Sequence, residues 1–151
     1  MSRQITVEVV KFHPKHLELI QMRVLETESI FHGDAYDRMD KAAKESVQAG
    51  TFLYDGRVLF CAGFSQLWPG VLEIWMIPSV HIKSAPFLVA KTVKRYIDAI
   101  ARDFKAHRIQ TTTYADAAHT RWMEFLGFKC EGTLEKYTHD KKSMLVFARV
   151  F

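Results

Sequence analysis

Cysteine, proline and glycine are all scarce: the 151-residue chain holds two cysteines, four prolines and seven glycines. Cys61 and Cys130 stand far apart, each inside an apolar segment. They provide neither a disulfide framework nor a paired-thiol zinc site, and they read as buried thiols of a reducing compartment. So little glycine and proline excludes a collagen-like repeat and a low-complexity chain. No apolar run approaches the roughly 18 residues that a membrane-spanning helix needs. From Met1 to Val10, Glu8 interrupts the apolar stretch and no small-residue cleavage site follows, so a signal peptide is not expected. By elimination the chain reads as a cytoplasmic protein without a membrane partner. Its length fits one domain over residues 1–151.

Apolar residues make up 48% and charged residues 25%, an ordinary globular mix. The net charge of +4 is unevenly spread. Residues 1–79 hold 8 Lys/Arg against 10 Asp/Glu, and residues 80–151 hold 13 against 7. A basic second half suits a phosphate-bearing ligand, whether nucleotide, coenzyme or nucleic acid; scatter over solvated helix faces is the alternative. No Arg-clustered recognition helix and no basic-aromatic ladder is present, so nucleic acid is not the expected partner. His13 and His16 have the spacing of a metal pair, but no third ligand accompanies them and no metal is expected.

Periodicity sets the element order. Ile5–Val10 alternates and is β-branched, a strand. Pro14 opens a helix with Leu17, Ile20 and Val24 on one face. Asp34 caps a second helix marked by Tyr36, Met39, Ala43 and Val47, with Gly50 as its stop. Thr51–Tyr54 and Val58–Phe64 flank Asp55-Gly56, a strong hairpin signal. Trp68-Pro69-Gly70 turns the chain into the strand Val71–Ile77, and Trp68 and Trp75 are candidate interface residues if exposed. A loop, Ser79–Ser84, precedes a long helix whose apolar stripe is Val89/Ala90, Val93, Tyr96/Ile97, Ile100 and Phe104. A Thr-rich strand (Ile109–Tyr114), a short helix (His119–Leu126) ended by Gly127, and strands over Cys130–Tyr137 and Ser143–Phe151 complete the chain. The order is β-α-α-β-β-β-α-β-α-β-β.

That order, together with Thr120-Arg121-Trp122-Met123-Glu124-Phe125-Leu126-Gly127-Phe128-Lys129-Cys130-Glu131-Gly132, resembles the GNAT superfamily of N-acetyltransferases. The family's short fourth helix ends in Gly-Phe, matched by Gly127-Phe128, and its next strand opens with a small residue, matched by Gly132. Glu73-Ile74-Trp75-Met76-Ile77-Pro78 is similar to the family's fourth strand before its coenzyme loop and long helix. The resemblance implies an α/β (α+β) fold: a single domain with a mixed, mostly antiparallel seven-stranded sheet flanked by about four helices.

The resemblance also implies acetyl-CoA as cosubstrate and a small-molecule or protein amine as acceptor. In the family the fourth and fifth strands splay, and the exposed main chain pairs with the pantetheine amides; here that is Met76 and Ile77. The pyrophosphate sits at the start of the long helix, where free N–H groups and the dipole favour an anion. This maps to His81, Ile82, Lys83, Ser84 and Ala85. The family's loop runs Arg/Gln-x-x-Gly-x-Gly/Ala, whereas His81, Ser84 and Pro86 fill those positions here, so Ser84 has a second reading as a simple helix cap. Glu73, the only acid of its strand, matches the family's strand glutamate as general base, although it lies three residues nearer Pro78. The family's acid, a Tyr four residues before the Gly, is replaced by Met123, leaving Tyr114 or Tyr137 as substitutes. Asp116 matches the family's Asn beside the coenzyme arm. Phe31, His32 and Tyr36 lie where the family lines its acceptor site.

Two functions follow. One is an N-acetyltransferase working by direct attack of an amine on the thioester. The other is a protein of the same fold without efficient catalysis that binds a partner protein. The glycine-free loop and Met123 favour the second. They also resemble the short, divergent GNAT-like proteins of T7-like bacteriophages, which implies a host or virion protein as partner and the host cytoplasm as location. Oligomeric state is left open.

Overall fold

A computed structural model of the protein describes residues 6–20 and 41–151. Its strands are β1 (Glu8–Lys11), β2 (Gln48–Tyr54), β3 (Arg57–Trp68), β4 (Val71–Pro78), β5 (Arg108–Tyr114), β6 (Lys129–Leu134) and β7 (Met144–Val150). They form one seven-stranded sheet in the order β1-β2-β3-β4-β5-β7-β6. β4 and β5 run parallel, while β1–β2, β2–β3, β5–β7 and β6–β7 run antiparallel. The sheet is therefore mixed and mostly antiparallel, as expected. Two short 3-10 helices, η1 (Pro14–Leu19) and η2 (Val80–Ser84), join a helical stretch over 41–45, a long helix (Pro86–Asp103) and a short helix (Ala117–Phe125). No helix among the described residues is long and apolar enough to cross a membrane.

Two compact units make up the chain: Met1–Ser65 with Trp75–Thr92, and Gln66–Ile74 with Val93–Phe151. In the first, Asp55 (φ +50°) and Gly56 (φ +73°) close the β2–β3 hairpin with both central residues left-handed, the type I′ geometry that Asp-Gly favours. Gly50, expected to end a helix, lies instead inside β2, because the chain is already extended from Gln48 and pairs with both neighbouring strands. Phe12, Leu17, Ile20, Val58, Cys61 and Ile77 form the unit's core. Trp75 is part of it rather than of an interface. Its ring lies edge-on to Phe12 at 5.4 Å, and its indole N–H donates to Ser46 Oγ at 2.9 Å. The ring covers Gly63 so closely that a Cβ there would lie 2.7 Å from it and 2.8 Å from the Gln48 carbonyl oxygen. Trp68, by contrast, is 62% exposed.

His13 and His16 close the start of η1. The His13 ring accepts from Lys15 N at 3.1 Å, and His13 N donates to His16 Nδ1 at 3.2 Å, a reciprocal cap. His16 Nδ1 also meets the buried Thr51 Oγ1 at 2.7 Å. Since His13 N can only donate, Nδ1 is an acceptor, and the Thr51 hydroxyl donates to the same nitrogen. No group of three or more metal-ligating side chains occurs among the described residues. Cys61, fully buried, meets Thr51 Oγ1 at 3.5 Å, and burial pushes its thiol up to about 11, so it is an inert core residue.

In the second unit, β5 pairs with β7 along its whole length, from Arg108↔Val150 to Tyr114↔Met144. β6 closes the edge with a bulge between Cys130 and Gly132. Cys130 is exposed, not buried: an edge strand has a neighbour on one side only, and Lys129–Thr133 all face solvent. β6 also ends at Leu134 rather than Tyr137, where the chain turns back through Thr138–Lys142. Val93, Ile97 and Ile100 of the long helix are buried as its periodicity predicts. The short helix stops in a Schellman motif: Phe128 N donates to Met123 O at 2.9 Å and Gly127 N to Glu124 O at 3.0 Å, with Gly127 at φ +87°. Met123 and Phe128, the residues that bracket this stop, are both buried.

Burial, with the nearby His13 as a smaller cause, holds the His16 imidazole below its ordinary value. A depressed folded-state value makes this contribution fully present above the unfolded value near 6.5 and progressively lost as pH falls below it. The urea midpoint is expected to drop between pH 7 and pH 5. In His16→Asn, which keeps an acceptor but does not titrate, that drop is expected to be smaller; an equal drop would remove His16 from the account.

Candidate functional site

The region expected to receive a coenzyme starts at Ser79, directly after the proline that ends β4. Ser79 is fully buried. Its N–H donates to Leu59 O at 2.9 Å, its hydroxyl donates to Val58 O at 2.7 Å, and that hydroxyl oxygen accepts from His81 N at 3.0 Å. Three bonds from one small residue thus fasten the start of η2 to β3. Residues 80–84, expected as loop, are consequently a 3-10 turn, held by Ile82 N to Ser79 O at 3.3 Å and Ala85 N to Ile82 O at 3.3 Å. Ser84 does not cap the long helix. Its hydroxyl donates to His81 O at 2.6 Å, so its proton is spent inside η2. The first bond of the long helix runs from Val89 N to Ala85 O, which leaves the amides of Phe87 and Leu88 without an acceptor in the helix. Pro86 has no N–H to offer. Lys83 is exposed and has no ion-pair partner among the described residues.

Along β4, Ile77 is buried in the core and Met76 is half-buried. The β4–β5 ladder covers Val71↔Arg108, Leu72↔Ile109 and Glu73↔Gln110, and ends there. At the next position the Ile74 carbonyl accepts from the Thr111 side chain at 2.9 Å. Near the β2–β3 hairpin, Tyr54, Asp55, Arg57 and Leu59 line a recess of about 170 Å³ together with His81 and Ser84 of η2.

In the second unit, Glu73 is exposed and occupies the last ladder pair. Gln110 Nε2 donates to its Oε2 at 3.1 Å. The chain continues through Arg108 Nε, which donates to Gln110 Oε1 at 2.8 Å, and ends on a two-pronged Arg108–Glu131 ion pair. The hydrogen bond from Arg108 draws the Glu131 carboxyl below its usual range. Tyr114, at the end of β5, is buried with its ring 5.7 Å from His119. Asp116 caps the short helix. Its Oδ1 accepts from His119 N at 2.8 Å and its Oδ2 from His119 Nδ1 at 2.7 Å, so both carboxylate oxygens are engaged. Tyr137 is 59% exposed. Phe31, His32 and Tyr36 lie outside the described residues.

The expected coenzyme residues Met76, Ile77 and His81–Ala85 therefore fall in one unit, and Glu73, Tyr114 and Asp116 in the other. Sequence reading missed Ser79, Arg57, Gln110 and His119. Only Ser79 had a local signal: a serine directly after a strand-ending proline is a good cap.

No protein-family model matches the sequence, and comparison with curated proteins returns no match. The fold, however, is shared with solved acetyltransferases. Ard1 from Thermoplasma volcanium superposes with a TM-score of 0.78 at 14% identity, covering 95% of this chain and 97% of that one. A GNAT-family acetyltransferase from Bacillus anthracis gives 0.72 at 16% identity, with 97% of each chain covered. RimL, a ribosomal L7/L12 alpha-N-protein acetyltransferase solved in complex with coenzyme A, gives 0.71 at 13% identity over 97% and 94%. At these identities the likeness establishes the GNAT fold.

Ser79→Ala leaves the Val58 carbonyl and the His81 amide without their partner in a dry site. It is expected to cost about 1–3 kcal/mol in urea unfolding; a loss under a few tenths would show that water or a shift of η2 replaces the hydroxyl.

Proposed function

We propose that the chain transfers an acetyl group from acetyl-CoA to an amine, the acceptor being a small molecule or a protein terminus or side chain. The reading rests on one combination within the acetyltransferase fold: a β4 that ends at a proline and leads through η2, fastened by Ser79, into a helix start with spare amides. An extended, amide-bearing arm can pair with strand main chain as an added strand would, the role the resemblance gives Met76 and Ile77. The amides of Phe87 and Leu88 and the ammonium of Lys83 suit a pyrophosphate. His81, Ile82, Ser84 and Ala85 contribute by shaping η2 beside that helix start. The residues present therefore fit the coenzyme, with Lys83 replacing contacts that a glycine-rich loop supplies elsewhere.

When bound, acetyl-CoA supplies a thioester carbonyl open to nucleophilic attack. The amine nitrogen adds to the carbonyl carbon, the new C–N bond forms, the C–S bond breaks, and the coenzyme leaves as a thiolate. Glu73 takes the proton that the nitrogen sheds. Gln110 fixes one of its oxygens, while Oε1 has no protein donor among the described residues and is open to a water or the amine. A thiolate is a stable enough leaving group that protonation, by Tyr114 or by solvent, need not precede departure. Asp116 and His119 hold the start of the short helix beside Tyr114. Phe31, His32 and Tyr36 are carried as acceptor-site residues by the resemblance alone.

A second reading, a binding protein of the same fold, draws on Met123. At the family's acid position it is 3% exposed and packed in the core, so no proton donor stands there.

Calorimetric titration with acetyl-CoA separates the two. The first reading expects micromolar binding that weakens about tenfold, or 1.4 kcal/mol, in Lys83→Ala. No heat and no thermal shift at millimolar acetyl-CoA would favour the second. Once an acceptor is in hand, Glu73→Gln is expected to lower kcat by roughly 10²–10⁴-fold with coenzyme affinity unchanged, as loss of a general base does. Unaltered turnover would place the base elsewhere.

A further inference from the structure

The recess beside the β2–β3 hairpin has a composition that the reaction above does not use. Its walls are Tyr54, Asp55 and Arg57 from the hairpin, Leu59 beneath, and His81 and Ser84 from η2. Arg57 is exposed and its guanidinium has no hydrogen-bond or ion-pair partner among the described residues, although Asp55 is among the residues of the same recess. A guanidinium is the side chain best matched to a phosphate, because its parallel N–H groups meet two oxygens at once. A carboxylate in the same cavity repels a bare anion but accepts hydrogen bonds from sugar hydroxyls. Cation and carboxylate together, with a phenol and an imidazole, describe a phosphorylated sugar better than either phosphate or sugar alone. The volume, about 170 Å³, is that of a single ring: an apolar cavity of about 150 Å³ takes up benzene.

We propose that this recess binds a ribose phosphate, with Arg57 on the phosphate and Asp55 on the ribose hydroxyls. The inference rests on the coenzyme reading for the source of that group. In coenzyme A a 3′-phosphorylated ribose is bonded directly to the pyrophosphate. Ser84 lines the recess and stands three residues before Phe87, the first amide assigned to the pyrophosphate. One covalent link in the ligand thus corresponds to three residues in the chain. The hairpin thereby supplies, from outside the loop, a phosphate contact that the glycine-free loop lacks.

The test is a cycle on protein and ligand, read by calorimetry. Wild type and Arg57→Gln are each titrated with acetyl-CoA and with 3′-dephospho-acetyl-CoA. Wild type is expected to bind the dephospho compound about tenfold more weakly, as for loss of one charge-assisted contact. In Arg57→Gln the two ligands are expected to bind alike, with Tm unchanged because the side chain is exposed. Equal binding of both ligands by wild type, or discrimination that survives in the variant, would overturn the proposal while leaving acetyl-CoA binding intact. If wild type binds neither coenzyme, titration with ribose 5-phosphate decides. Saturable binding that Arg57→Gln abolishes assigns the recess to a free sugar phosphate, and no binding overturns it. Asp55→Asn is a second check: asparagine tolerates the left-handed turn position, so the hairpin persists while affinity for the sugar falls.

Discussion

Everything assigned to the coenzyme region depends on one buried serine. A proline ends β4 and cannot donate a ladder bond, so the next residue must restart the hydrogen bonding in an environment without water. Ser79 does this with its main chain and its hydroxyl together, donating to Leu59 O and Val58 O and accepting from His81 N. A dry polar group left unpaired is costly, so the three bonds form as a set and fix the direction in which η2 leaves the sheet. The direction of η2 in turn sets where Pro86 starts the long helix and where His81 and Ser84 meet the hairpin. A hydrophobic residue of similar size would fill the space without specifying that direction.

The same physics separates structural from chemical meaning in the acetyltransferase-like features. Gly127-Phe128, the most family-like dipeptide of the chain, is a helix stop in which glycine takes the left-handed position and phenylalanine packs against the buried end of the short helix. It would be required by any protein that ended a helix there. Asp116 likewise spends both oxygens on His119 and the helix start. Glu73 differs. It faces solvent at the last pair of a short parallel ladder, with one oxygen held and the other open. The base role proposed for Glu73 draws on that second oxygen.

The element order was legible because it depends on periodicity and turn residues. Asp55-Gly56, Val71–Ile77, the long helix and the Thr-rich strand all came from patterns confined to a few neighbours. The readings that failed were those in which a local pattern met a distant partner. Gly50 looks like a helix stop until β1 and β3 pair with β2 on either side of it. Cys130 looks buried in its apolar segment until β6 proves to be the edge strand. Arg57 drew no attention because nothing in its neighbourhood along the chain marks it, and the η2 residues that line a recess with it come more than twenty residues later.

By itself the sequence determined the mixed α/β class, the run of strands around the long and short helices, and the Asp55-Gly56 and Gly127 turns. These depend on near-neighbour sterics and on which side chains avoid water, both of which are written locally. Tertiary structure alone decided which polar groups are spent on holding the fold and which are left over. A hydroxyl or carboxylate carries the same chemistry in either case, and only its partners across space, as Ser79, Asp116, Glu73 and Arg57 show, settle whether any of that chemistry remains for a ligand.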